Sequence, residues 1–320
     1  MRRWFPGAAL LAFWMAWPFP GLGQEDIRTI GILALGNPNP ASFISDFKGH
    51  LAELGYVEGK NVKFEIRLAE GQAARLEPLA RELVAKKVDV LVPYQTPAVT
   101  AAKAATREIS IVMASVADPV GSGFVNSLSN PGGNITGVSG ATAELAAKNM
   151  ELIKEVIPSV RRVAILANQP DPFHTTLVAS AQRAAIQLNI ETKVVLARAG
   201  DDFDRHLADV KAWGAEAVLI QPSLPLKQVA DSAAKSMMPA FCPNESFTRA
   251  GGLMAYSSDL ASVHRQAATI VDKVLKGRKP AELPVEISTK FRLIVNTKAA
   301  NAIGLKLPPL LLTRADEVIE

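Results

Sequence analysis

From residue 27 onward the chain repeats one unit: a short aliphatic or β-branched run, a turn rich in Pro, Asn, Asp or Ser, then an amphipathic helical stretch of ten to twenty residues. Strands that alternate with helices in this way pair in parallel, because each helix carries the chain back over the sheet, and both faces of such a sheet are covered. This alternation predicts an α/β chain with doubly wound parallel sheets. Strands are expected at 29–35, 62–68, 89–94 and 110–116, with helices at 43–54, 72–87, 97–107 and 119–128. The first helix is followed by Gly55, the residue best suited to a left-handed C-terminal cap. The dense turn chemistry of Asn130-Pro131-Gly132-Gly133-Asn134 breaks the pattern, and a short strand at 135–138 follows.

The same unit then starts again. Strands are expected at 162–167, 191–196, 217–221 and 239–242, and helices at 175–188, 202–213, 225–236 and 245–250. With 320 residues, two domains of ordinary size fit the chain. Two similar doubly wound lobes, joined by extended segments, form a cleft faced by the C-terminal ends of both sheets, where such sheets bind ligands.

The start of the chain follows a different logic. Arg2 and Arg3 precede an apolar stretch at 8–17, which is too short for roughly 30 Å of hydrocarbon. Pro18, Pro20 and Gly21-Leu22-Gly23 close it, as in a cleavable signal peptide covering 1–23. A freely soluble, periplasmic mature chain starting at Gln24 is expected. The composition bears on its class: 48% of residues are apolar, yet three of the four tryptophans, Trp4, Trp14 and Trp17, fall in this leader. Without Arg2 and Arg3, 33 basic residues stand against 31 acidic ones, scattered along the chain, which argues against a nucleic-acid partner. Cys242 is the only cysteine, so no disulfide framework exists.

Polar residues gather just past the predicted strand ends. Thr96-Pro97 after Tyr94 reads as an N-cap and first helical residue, a helix start that can hold a carboxylate, and Asp118-Pro119 reads the same way. In the second half Asn168 with Asp171 and His174, Gln221 with Ser223, and Asn244 with Glu245 occupy equivalent places. Asp118, Asp171, Glu245 and Asp259 each suit an ammonium group; Phe43, Tyr94, Phe173, Phe247 and Tyr256 suit an apolar or aromatic ligand part, or simply a core.

Catalytic patterns do not assemble. His50, His174, His206 and His264 lie on separate elements without metal-ligand spacing. Gly137-Val138-Ser139-Gly140-Ala141 lacks the last glycine of a nucleophile elbow, and Gly121-Ser122-Gly123 is followed by Asn126 where a dinucleotide fingerprint needs a small residue. No cofactor is expected.

Four segments carry a family resemblance: Ile30-Gly31-Ile32-Leu33, the stretch Leu54-Gly55-Tyr56-Val57-Glu58-Gly59-Lys60-Asn61-Val62, Ala117-Asp118-Pro119-Val120, and 130–138. Together with 277–285 and 289–296, these make the chain similar to the ABC-transporter substrate-binding proteins related to the tryptophan/tyrosine-binding type. The resemblance implies a type I periplasmic-binding fold with a three-segment hinge, lobe one formed by 24–138 plus 257–284 and lobe two by 139–256 plus 285–320. It also implies a monomer that closes on a small ligand and delivers it to permease subunits. Ligand contacts then map to Asn37, Thr96, Ser115 and Asp118 on lobe one, and to Asn168, Gln221, Asn244 and the stretch from Tyr256 to Asp259 on lobe two, with Tyr94 as a stacking candidate. The expected ligand bears a carboxylate held by the Thr96 helix start: an amino acid, aromatic or otherwise, with its amine on Asp118 or Asp259, or else an aromatic acid. An α/β enzyme working in the same cleft is the alternative, disfavoured by the missing nucleophile, metal set and cofactor fingerprint.

Overall fold

The computed structural model describes Met1 and residues 27–36, 40–140 and 142–320; the expected leader and Asn37 lie outside the described residues. In chain order the first half runs β1 (Arg28–Ala34), α1 (Ala41–Glu53), β2 (Val62–Leu68), α2 (Leu76–Ala85), β3 (Val90–Tyr94), α3 (Thr96–Ala105), β4 (Ser110–Val116) and β5 (Ile135–Ser139). There follow α4 (Thr142–Val156), β6 (Arg162–Asn168), α5 (His174–Gln187), β7 (Glu191–Ala197), α6 (Phe203–Ala212), β8 (Ala217–Ile220), α7 (Leu226–Lys235), β9 (Ala240–Phe241), α8 (Glu245–Arg249) and β10 (Met254–Ser258). The chain ends with α9 (Leu260–Leu275), β11 (Glu286–Ile287), β12 (Phe291–Asn296), α10 (Thr297–Ala302), α11 (Pro309–Arg314) and β13 (Glu317–Ile319).

The strands form two sheets. The first has the order β11-β5-β4-β3-β1-β2 and is parallel throughout. The second has the order β13-β12-β10-β9-β8-β6-β7 and is parallel except where β10 meets β12. Central strands such as β3 and β8 are buried at every residue, as expected where helices cover both faces. Two apolar clusters flank the first sheet, one built around Phe43, Phe47 and α9, the other around Leu83, Val99 and Met113. Another pair flanks the second sheet, with Leu177 and Met150 on one face and Phe247 and Val229 on the other.

Three crossings join the lobes. The chain leaves the first sheet after β5, returns after β10 as α9, which packs on α1 and β4, and leaves again between β11 and β12. The crossings therefore lie near 139–142, 258–260 and 287–291, against expected limits at 138/139, 256/257 and 284/285. Ser258 Oγ donates to the Gly140 carbonyl at 2.6 Å and so ties the first two crossings together.

Two local expectations are corrected. No helix forms over 119–128, where the chain instead makes tight turns. Asp118 Oδ1 accepts the Gly121 N–H at 2.8 Å and Gly123 adopts φ +68, so a side-chain-closed turn replaces the helix start that Asp118-Pro119 suggested. The N-cap of α3 is Gln95, not Thr96, which becomes the first helical residue with Pro97 second. A third finding is an addition: α4 occupies a stretch for which no element was expected, buried through Leu145, Ala146, Met150, Leu152, Ile153 and Val156 at helical spacing.

Candidate ligand-binding cleft

On the first lobe the chain turns sharply where β3 ends. Gln95 takes φ 67 and ψ 163, and no side chain caps the helix that follows. The N–H groups of an α-helix's first turn have no partner within the helix, so this end of α3 presents free donors and the positive end of its dipole. Ser115 stands on the neighbouring edge with φ 57, where β4 holds one residue more than β5 between the Met113 and Val116 pairings. Such a bulge re-aims a side chain, here into the cleft. Gln95, Ser115 and Asp118 are non-glycine residues with positive φ at adjacent strand ends, a conformation that costs of order 1–3 kcal/mol each and concentrates at functional sites.

The second lobe contributes the loops after β6, β8 and β9. Asp171 is 2% exposed and its carboxylate is held by three donors. The Phe173 N–H donates to Oδ1 at 3.0 Å; Gln221 Nε2 and the Ser223 hydroxyl donate to Oδ2 at 2.8 and 2.5 Å. Gln221 is itself fixed, since its Oε1 accepts the Asn168 N–H at 2.9 Å. Burial raises the Asp171 carboxyl above its ordinary range, while Ser223, the Phe173 N–H, Gln221 and His174 work in the opposite direction.

These edges enclose a small cavity, about 490 Å³ when the open solvent at its mouth is included. Its polar walls are Gln95, Thr96 and Ser115 on one side and Asp171, Gln221, Ser223 and Asn244 on the other, with Ser257 and Ser258 at the crossings. Ala117, Leu145, Phe173, Pro222, Pro243 and Leu260 supply apolar surface. Among the described residues that line it, Asp171 is the one with an ionisable side chain.

Of the residues expected from sequence, Thr96, Ser115, Asp171, Phe173, Gln221, Ser223 and Asn244, with Ser257 and Ser258 of the 256–259 stretch, come together at this cavity. Thr96 Oγ1 also accepts the Ala117 N–H at 3.4 Å, joining two loops of the first lobe. Tyr94 packs behind the wall: its ring stacks on Phe43 at 4.4 Å, and His264 meets both rings edge-on. Asn168 acts behind the lining, its Nδ2 donating to the Ser223 hydroxyl and carbonyl. Asp118 accepts from the Thr176 hydroxyl across the lobes at 3.4 Å, Tyr256 stacks on Phe291, and Asp259 caps α9 by accepting the Ser262 N–H. Both carboxylates expected to hold an amine are therefore engaged elsewhere. Gln95 and Gly140 line the cavity without having stood out in the sequence, whereas Ser257 and Ser258 belong to the 256–259 stretch that the family resemblance singled out.

Residues 35–319 match the family model described as ABC transporter substrate binding protein. The chain belongs to this family. A tyrosine-binding protein of Clostridioides difficile (strain R20291) is 26% identical over 287 residues, 87% of this chain and 81% of that protein. Among solved structures, a conserved domain protein from Vibrio cholerae superposes with a TM-score of 0.86 at 26% identity, over 92% of this chain and all of that one. An ABC domain from Streptococcus pneumonia in complex with L-Trp gives 0.85, with the same identity and coverage. The fold is thus that of the type I periplasmic-binding proteins, and the family is a substrate-binding transport component.

Proposed function

We propose that this chain is the periplasmic receptor of an ABC importer and that it takes an α-amino acid with an aromatic side chain. The observation that carries this reading is Asp171: a buried carboxylate on the cavity wall, with three neutral donors and no cationic side chain beside it in the lining. A buried charge without a counter-charge is costly, and a ligand ammonium supplies the missing partner. The uncapped start of α3 across the cleft suits the carboxylate of the same ligand. An aromatic acid without an amine fits less well, because it brings a second negative charge into a cavity that already has one. The relatives named for tyrosine and solved with L-Trp agree with this choice.

The ligand acts by touching both lobes. Asp171, Gln221 and Asn244 belong to the second, Gln95, Thr96 and Ser115 to the first, so only a ligand bridging them favours the closed state. No lining hydroxyl is hydrogen-bonded to a histidine among the described residues, and the cavity is read as a binding site, not an active site. The mature protein begins at Gln24 after removal of residues 1–23, works as a monomer without nucleic acid, and hands its ligand to inner-membrane permease subunits. No described helix is long and apolar enough to cross a membrane.

Thermal unfolding with L-tyrosine, L-tryptophan, L-phenylalanine and their deaminated propionic acids tests the assignment. A ligand at 100 times its Kd stabilises by about 2.7 kcal/mol, which raises Tm by several degrees. The amino acids should do this and the propionic acids should not. Equal stabilisation by both sets would defeat the role given to Asp171.

A further inference from the structure

Beside the cavity the two lobes also touch one another directly, at the corner where Ala117 and Asp118 follow β4. Ala117 is 6% exposed and packs with Phe173 and Leu177 in an apolar cluster whose other members, among the described residues, all belong to the second lobe. Asp118 holds φ 39, and its Oδ1 accepts the Gly121 N–H at 2.8 Å. That turn leaves Oδ2 to accept the Thr176 hydroxyl across the lobes at 3.4 Å. Thr176 stands in the first turn of α5, which has no acidic residue and no side-chain cap of its own, so the carboxylate of the other lobe supplies the negative charge that a helix start favours. Gly121 makes this possible: a Cβ there would lie 2.1 Å from Asp118 Oδ2, so a larger residue would push the carboxylate out of place. An O–H···O bond is ordinarily about 2.7 Å long, so the contact strengthens as the lobes close further and is lost as they part.

We infer that the Ala117–Asp118 corner and Thr176 form an interlobe latch, built from protein groups alone, that weights the balance between closed and open lobes before a ligand arrives. Neither Asp118 nor Thr176 lines the cavity, so the latch acts on the lobes and not on the ligand. Among ligands, only one that bridges the lobes shifts the balance further; the latch sets the ratio from which that ligand starts. Apparent affinity is scaled by the fraction of molecules already in the binding-competent arrangement, so Asp118 and Thr176 tune affinity from outside the site.

Electron-spin distance measurement on the unliganded mature chain provides the test and does not depend on which ligand the cleft takes. Labels at Gln72→Cys and Ala199→Cys report the separation of the lobes, because these exposed residues lie on opposite lobes at the mouth of the cleft; Cys242 is buried and takes no label. Thr176→Val removes the hydroxyl at nearly constant volume. It should shift the ratio of close to wide separations toward wide by about three- to tenfold, the scale of one hydrogen bond to a carboxylate, with Tm within about 3 °C of wild type. Gly121→Ala should do the same, the two together should do no more than either alone, and Thr176→Ser should keep the wild-type distribution. A Thr176→Val distribution identical to wild type would overturn the inference, as would a wild type found only at the wide separation, the same shift in Thr176→Ser, or a larger fall in Tm, which would make the contact part of the folded core.

Discussion

Replacing Asp171 by asparagine separates the charge of this residue from its hydrogen bonding. The side chain keeps its size but exchanges one acceptor for an NH₂ group in a setting arranged entirely for acceptors. Gln221 cannot turn to accommodate it, because its Oε1 is fixed by the Asn168 N–H, and the Phe173 N–H belongs to the backbone. Whichever way the new amide points, at least one buried N–H loses its acceptor, at about 1–3 kcal/mol. Removal of a buried charge works in the other direction, so the unliganded variant should stay folded with its stability changed by no more than about 2 kcal/mol. Ligand affinity has no such compensation. A charge-assisted hydrogen bond is worth about 1.5–3 kcal/mol, so L-tyrosine should bind about 10- to 150-fold more weakly by isothermal titration. The deaminated analogue 3-(4-hydroxyphenyl)propionate supplies the control: it makes no such bond, so Asp171→Asn should leave its weak binding unchanged or improve it. Equal losses for tyrosine and the analogue would refute the reasoning and make Asp171 a purely structural residue.

Three further outcomes follow from the same geometry. Because burial raises the Asp171 and Glu245 carboxyls, the folded state retains their protons longer than the unfolded chain; these groups favour folding at low pH, and that contribution is lost as the pH rises through their raised values. Ligand affinity should run oppositely, falling as Asp171 protonates, which titration calorimetry across the acid range would detect; affinity flat through that window contradicts the ion pair. Gly137→Ala should abolish soluble expression or cost at least about 3 kcal/mol in urea unfolding, since φ is +142 there and a Cβ would strike the Met113 backbone at the β4 bulge. Cys242 is fully buried and its thiol is pushed well above the usual range, so iodoacetamide should label the protein only when it unfolds, as mass spectrometry would record.

Much of the frame is legible because the β-strand and helix periods alternate so regularly. The alternation places the parallel strands 62–68 and 110–116 at their observed limits, and Gly55 adopts the positive φ of a C-terminal cap. What escapes it is local competition. Asp118-Pro119 has the residues of a helix start, yet the carboxylate closes a turn on Gly121 before a helix can propagate. The Ser115 bulge and the Gln95 backbone twist belong to strand pairing and loop tension, which no single residue announces. At the site, strand-end polarity draws attention to Thr96, Gln221 and Asn244, and the family resemblance to Ser115, all of which reach the cavity, but neither ranks the carboxylates. Asp118, Asp171 and Asp259 look alike in sequence; only the fold shows that the first ties the lobes together, the second faces the cavity and the third caps α9.

A crystal structure of the protein grown with L-tyrosine tests the central claim most directly. The ammonium nitrogen should lie about 2.8 Å from an Asp171 carboxylate oxygen, with the ligand carboxylate at the first turn of α3. A ligand bound the other way round, with its carboxylate toward Asp171, or bound outside the cleft, would contradict the account.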